Sequence, residues 1–181
     1  MTFGQISSTQ MTVTPMSHEI DSEISKTLVA GKTFGVGTSD GEIIVLKISD
    51  SKIILSEIVL AHKDAIVELQ KSDQIFLSQA LDKSMKIWSP TWVPIASIAI
   101  PTNLTQIAIA PLSDAIAALG HDSSVFIWTK LGELAHVCQT NEKYYHLSWK
   151  KSGDILALVG ENGLLSLFDL FGSDSMNPFF T

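Results

Sequence analysis

Short apolar runs alternating with polar residues, each interrupted by Asp, Asn or Gly, recur along the chain at a nearly fixed interval. Four share one internal order: Gly35-Val-Gly-Thr-Ser-Asp40-Gly-Glu-Ile-Ile-Val-Leu46, Ser78-Gln-Ala-Leu-Asp82-Lys-Ser-Met-Lys-Ile-Trp88, Ala118-Leu-Gly-His-Asp122-Ser-Ser-Val-Phe-Ile-Trp128 and Leu158-Val-Gly-Glu-Asn162-Gly-Leu-Leu-Ser-Leu-Phe168. Each reads as an apolar strand, a tight turn and a second strand alternating toward a large apolar residue. Asp-Gly or Asn-Gly between two such runs is a hairpin signal, because these residues accept positive φ. Asp40, Asp82, Asp122 and Asn162 stand 42, 40 and 40 residues apart. A strand-type period of that length predicts a stacked or radial array rather than one irregular sheet.

Between successive turns there is room for two further strands. Lys52 to Leu60, Trp92 to Ile100 and Glu133 to Gln139 are the outer ones, and Pro94 is tolerable there because an outer strand has one free edge. Ala65 to Leu69, Leu104 to Ile109 and Tyr144 to Trp149 lead into the later copies, with Ile107 and Leu147, and Ile109 and Trp149, each 40 apart. Four short antiparallel strands per repeat predict an all-β fold of β-propeller blades, about four of them.

Over about residues 18 to 170 the sequence resembles the WD-repeat β-propeller family. The second copy carries the resemblance: Ala61-His62 stands for the family's Gly-His, Ser78 lies four residues before Asp82, and Trp88-Ser89 stands for Trp-Asp. The resemblance implies a buried hydrogen-bonded network of His62, Ser78, Asp82 and Trp88 that ties loops to strands. Elsewhere the set is incomplete. His18 is placed for the first copy, but Val36 and Leu46 replace Ser and Trp; the third copy keeps Asp122 and Trp128 with Ala118 and no His; the fourth has Phe168-Asp169, with Leu158 at the Ser position.

The blades are expected over about 18–60, 61–100, 101–140 and 141–170, between an N-terminal segment 1–17 and a tail 171–181. Gln5 to Thr14, with Ile6, Met11 and Val13 alternating, is either a tail or, as the resemblance implies, a closing outer strand for the last blade. That blade otherwise has none, because Phe171 to Thr181 carries Gly, Ser, Asn and Pro. The resembled rings use about seven blades, and four would leave an apolar flank at each end. The chain therefore opens a longer protein, pairs with a second copy or another partner through open blade edges, or closes as a small ring; a truncated form is preferred.

Charge narrows the partners. Twelve Lys and no Arg face nineteen acidic residues, for a net charge of −7. Nucleic acid and phosphopeptides are usually held with Arg prominent, so protein partners are expected and nucleic acid is not. No apolar run is long enough to span a membrane. The N-terminus lacks the basic flank and apolar segment of a secretory signal, which predicts an intracellular, cytoplasmic protein. The single Cys138 closes no internal disulfide and is expected as a buried strand residue.

Catalytic chemistry is sparse. Ser78, His62 and Asp82 are the residue types of a hydrolase triad, but Ser78 falls mid-strand without a Gly-x-Ser-x-Gly elbow, so the structural reading is preferred. His18, His62, His121, His136 and His146 show no metal-ligand spacing, and Gly35-Val-Gly37 is followed by a strand rather than the helix a dinucleotide loop needs. Carboxylates sit at turns, where they are expected to be solvated. No catalytic, cofactor or metal residue is assigned. The expected function is a non-catalytic protein–protein scaffold or adaptor within a larger intracellular complex. The alternatives are a small-molecule or catalytic site in the central cavity, or the start of a longer transport or coat-type scaffold. Tyr144, Tyr145 and Trp92 are interface candidates as aromatics, with core packing the more ordinary use of each.

Overall fold

Fifteen strands in four antiparallel sheets make up the described chain, which in this computed structural model comprises residue 20, residues 22–50 and residues 52–169. Among these residues there is no α-helix, only a 3-10 turn at Glu161–Gly163. Blade 1 is β1 (Ile24–Ala30), β2 (Thr33–Thr38), β3 (Glu42–Ser49) and β4 (Lys52–Leu60). Blade 2 is β5 (Ile66–Lys71), β6 (Phe76–Ala80), β7 (Ser84–Trp88) and β8 (Pro94–Ala99). Blade 3 is β9 (Leu104–Ile109), β10 (Ile116–Gly120), β11 (Ser124–Trp128) and β12 (Leu134–Gln139). Blade 4 is β13 (Tyr144–Trp149), β14 (Ile155–Gly160) and β15 (Leu165–Asp169). Each sheet is a meander in which consecutive strands pair, so the all-β propeller-blade architecture follows directly from the repeat. His18, the stretch Gln5 to Thr14 and the tail 171–181 lie outside the described residues.

The central hairpins share one backbone device. Gly41, Lys83, Ser123 and Gly163, each directly after Asp40, Asp82, Asp122 or Asn162, have φ of 82, 61, 65 and 78°. An Asp or Asn opens the turn and the next residue supplies the left-handed step, which Gly takes freely and Lys83 and Ser123 take at a cost.

Alternation then gives every sheet two faces, one turned back to the preceding blade and one forward to the next. In blade 3 the backward rows are the cross-strand pairs Ile116–Trp128 and Ala118–Phe126, which pack on Leu77, Met85 and Ile87 of blade 2. The forward rows are Ala117–Ile127 and Leu119–Val125, which pack on Leu147, Leu156, Leu158 and Phe168 of blade 4. Blade 1 sends Ile43 and Val45 forward against Ile66, Leu69, Phe76 and Trp88. Gly35 shares that face: a Cβ there would lie 2.4 Å from the Trp92 ring, so only glycine lets the indole in. The inner strands follow in order, β1 beside β5, β5 beside β9 and β9 beside β13; β1 and β13 have no comparable contact among the described residues. The blades form an open series.

Polar contacts stitch neighbouring blades near their inner strands. Gln70 Nε2 donates to the Ile107 carbonyl at 2.6 Å, the Leu147 amide to Gln106 Oε1 at 2.7 Å, and Trp149 Nε1 to the Ala108 carbonyl at 3.1 Å.

Three sequence expectations need correction. Asp114 is not a solvated turn carboxylate: it is buried, Ser72 Oγ donates to its Oδ1 at 2.5 Å, and Lys130 Nζ stands 4.0 Å from its Oδ2. The β9–β10 turn folds back against the β5–β6 turn, and the contact excludes water from the acid. Cys138 is in a strand but only half-buried, because β12 is the outer edge of its sheet. Trp92 is not part of the outer strand, which begins at Pro94; it sits in the preceding turn at φ 62° and points into the blade 1–blade 2 interface.

Candidate functional site

The structure brings His62, Ser78, Asp82 and Trp88 together in blade 2. Ser78 is the middle residue of β6, Trp88 ends β7, Asp82 opens the turn between them, and His62 lies in the connection from β4. Trp88 Nε1 reaches Ser78 Oγ at 2.9 Å, and Ser78 Oγ is 2.7 Å from His62 Nε2. An indole N–H can only donate. Ser78 Oγ accepts from Trp88, and because the Asp82 carboxylate can only accept, the proton of the neutral imidazole sits on Nδ1 and Nε2 accepts from Ser78 Oγ. That N–H faces Asp82 Oδ2 at 3.2 Å and Ser84 Oγ at 2.8 Å, while Ser84 Oγ donates to Asp82 Oδ1 at 2.7 Å. The Lys63 and Ser84 amides complete the carboxylate shell at 3.0 and 2.9 Å.

Ser84 is the member that the sequence did not single out. Its signal was available as Asp-x-Ser, present at Asp82/Ser84 and again at Asp122/Ser124, where both the Ser124 amide and hydroxyl donate to Asp122 Oδ1. An Asp bonding the residue two ahead is the usual side-chain-capped turn. In blade 4 a different pair does a comparable job: Tyr144 and Ser166, both buried, bond through their hydroxyls at 2.8 Å.

Electrostatics place the charge on the aspartate. Burial of the imidazole, the largest influence, pulls the His62 pKa below its ordinary value, against the opposing pull of Asp82. For Asp82 burial works toward a higher pKa, but hydrogen bonds from Ser84 and Lys63, with His62, prevail and hold the carboxyl down at about 2. Both folded-state values lie below the unfolded ones, so the network's contribution is complete above the unfolded His value, about 6.5, and is lost as the pH falls, first through His62 and then from about 4 toward 2 through Asp82. Urea midpoints measured from pH 8 to 3 are expected to fall across this window. Asp82→Asn should flatten the acid limb, and equal slopes in parent and variant would remove the network from the account of acid sensitivity.

The order Ser78–His62–Asp82 is that of a nucleophile, a base and its orienter. Yet Ser78 is fully buried and Trp88 already donates to its oxygen. The adjoining cleft is lined by His62, Lys63, Asp82, Ser84, Lys86 and Ser97 and does not include Ser78. A nucleophile must meet a carbonyl carbon, and no route to this oxygen is open. No group of three or more His, Cys, Asp or Glu side chains among the described residues is arranged to hold a metal ion.

The β6–β7, β10–β11 and β14–β15 turns all lie at one end of the array. Shallow grooves lie between consecutive blades there. One is lined by Val67, Gln79, Leu81, Lys83, Thr102 and Asn103, the next by Thr105, His121, Ser123, Lys143 and Tyr145. Leu81 is 60% exposed and Tyr145 54%. Tyr145 is bonded to Glu161, which raises the phenol's pKa and lowers the acid's, and Lys143 Nζ lies 3.2 Å from Glu161 and 6.0 Å from the Tyr145 ring centre. Of the three aromatic candidates, Trp92 and Tyr144 are core residues and only Tyr145 is at the surface.

No family model and no curated protein matches the chain. Solved structures do. The computationally designed Ika4 protein is similar with a TM-score of 0.67 at 19% identity, over 88% of this chain and 99% of that one. Hsv2 of Kluyvelomyces marxianus is similar with a TM-score of 0.65 at 15% identity, over 85% of this chain and 52% of that one. At these identities the likeness is one of fold: a β-propeller-like array, of which this chain spans about half the length of the Hsv2 chain.

Proposed function

We propose that this chain is a WD-repeat-type protein-interaction module, a non-catalytic scaffold subunit that offers its turn-bearing end to a protein partner. The observation that carries the reading is the contrast between the two kinds of polar and aromatic group. Those able to do chemistry, His62, Ser78 and Asp82, are consumed by one another inside blade 2. Apolar and aromatic side chains, Leu81 and Tyr145, stand out beside grooves at the end that carries the β6–β7 and β10–β11 turns. Exposed aromatic and large apolar groups rimmed by polar ones are what protein interfaces are built from. The Arg-free, acidic composition favours a neutral or basic protein surface over a phosphate-bearing partner.

Affinity purification of the tagged chain beside its Leu81→Asp/Tyr145→Ala variant tests this. A protein that co-purifies in stoichiometric amount with the parent and at least tenfold less with the variant is expected. Both substitutions fall on exposed sites, so the variant should melt like the parent. Equal recovery with both, or no partner with either, would sink the reading.

A further inference from the structure

The repeat makes the two ends of the array halves of one interface. Blade 4 carries forward rows Ala157–Leu167 and Val159–Leu165, cross-strand pairs of β14 and β15. These stand 40 residues after the forward rows of blade 3, Ala117–Ile127 and Leu119–Val125, which blade 4 itself buries. Residue class is kept at every position: Ala for Ala, Val for Leu, Leu for Val and Leu for Ile. On blade 4 nothing comparable lies over them among the described residues, and Val159 is 43% and Leu165 51% exposed. At the other end, blade 1 carries the backward rows Val36–Ile44 and Phe34–Leu46, the counterparts of Ile116–Trp128 and Ala118–Phe126, which pack on a forward face.

We infer that the forward face of blade 4 docks on the backward face of blade 1 of a second copy, and that two copies so joined head to tail form a ring of eight blades. A repeat array buries each unit only against its neighbours, and a head-to-tail contact that closes on itself yields a finite assembly. Eight blades are within the range of propeller rings. Among the described residues a single chain does not bring the two faces together, since β1 and β13 have no contact like that of β9 with β13. Val36, Ile44 and Leu46 are buried in the single chain, with Ile20, Phe34 and Ile53 packed around them. Docking on this face therefore requires Ile20 to leave it. The end faces are distinct from the turn-bearing end described above, so a monomer would overturn this inference and leave the scaffold reading standing.

Sedimentation of the 181-residue chain tests it. The parent is expected at twice the chain mass. Leu165→Asp spoils the blade 4 face, and Phe34→Asp spoils the blade 1 face at the place that Phe76 fills in the blade 1–blade 2 contact; each alone is expected at the single mass with an unaltered strand spectrum. Mixed, the two variants keep one untouched interface and return to the double mass. A parent at single mass, variants that stay paired, or a mixture that does not pair would each overturn the proposal, the last pointing to like-with-like pairing. If Phe34→Asp does not fold, Leu46→Asp, at the counterpart of Trp88, takes its place, and Val159→Asp stands in for Leu165→Asp.

Discussion

Trp88→Ala destabilises the chain by about 3–5 kcal/mol, the range for deleting a large aromatic from a core. Trp88 closes two structures at once. Its ring is buried in the cluster between blades 1 and 2 with Leu28, Val45, Ile66 and Phe76, and stands 6.4 Å from the Trp92 ring. Its Nε1 holds Ser78, and through Ser78 the imidazole of His62. Alanine opens a cavity in the interface and withdraws the N–H that Ser78 Oγ accepts. Trp88→Phe separates the two effects: it keeps most of the apolar bulk and loses the hydrogen bond, worth about 0.5–1.5 kcal/mol. Urea unfolding of parent, Phe and Ala forms should give that order of midpoints, and an Ala form that melts with the parent would mean that the blade 1–blade 2 contact is misplaced.

Gly41→Ala comes next, and it acts through backbone rather than side chain. Gly41 is at φ 82°, which alone costs about 1–2 kcal/mol for an L-residue. The added Cβ would also lie 2.6 Å from the His62 carbonyl oxygen and 2.8 Å from that of Asp64. Neither oxygen belongs to a flexible side chain that could swing away. The Gly41 carbonyl meanwhile accepts the His62 amide at 2.8 Å, so the turn of blade 1 is clasped to the loop that delivers His62 to blade 2. The substitution is expected to lower the thermal midpoint by several degrees and to move the His62 imidazole resonances. Gly163→Ala, with a similar φ of 78° but nothing within 4 Å of its Cβ, carries the backbone cost alone and serves as the control. Equal losses at the two positions would mean that the clasp contributes nothing.

Much of this architecture is legible in residue order because the turn chemistry is local. Asp or Asn followed by a residue of positive φ dictates the hairpin at Asp40, Asp82, Asp122 and Asn162 without help from distant contacts, and alternation then assigns both faces. The His62–Ser78–Asp82–Trp88 group is legible through the resemblance of the second copy to the WD-repeat pattern, and the register of β6 with β7 puts Ser78 and Trp88 on one sheet face. What escaped depends on contacts between blades. Asp114 looks like any turn acid until Ser72, 42 residues earlier, is placed against it. Trp92 looks like the start of a strand, and only the space left by Gly35 shows why it turns inward. Tyr144 and Tyr145 are adjacent and chemically alike, yet strand alternation buries one and exposes the other, and which is which depends on the register of β13 with β14. Local rules fix sheets; the angle at which sheets meet is written in pairs of residues about forty apart.

The open order of the blades also governs how the molecule comes apart. In the unpaired chain, as in the single-mass Leu165→Asp form, blades 2 and 3 are held on both sides by described residues, blades 1 and 4 on one, and blade 4 contributes three strands among the described residues against four elsewhere. In a series bound by nearest-neighbour contact, local opening is easiest at the termini. Amide protection should therefore be deepest around β6, β7 and β10, where neighbours and the buried relay coincide. It should shallow toward β15, where the first nick by a protease is favoured, so that the end with the barest apolar face is also the one that breathes most.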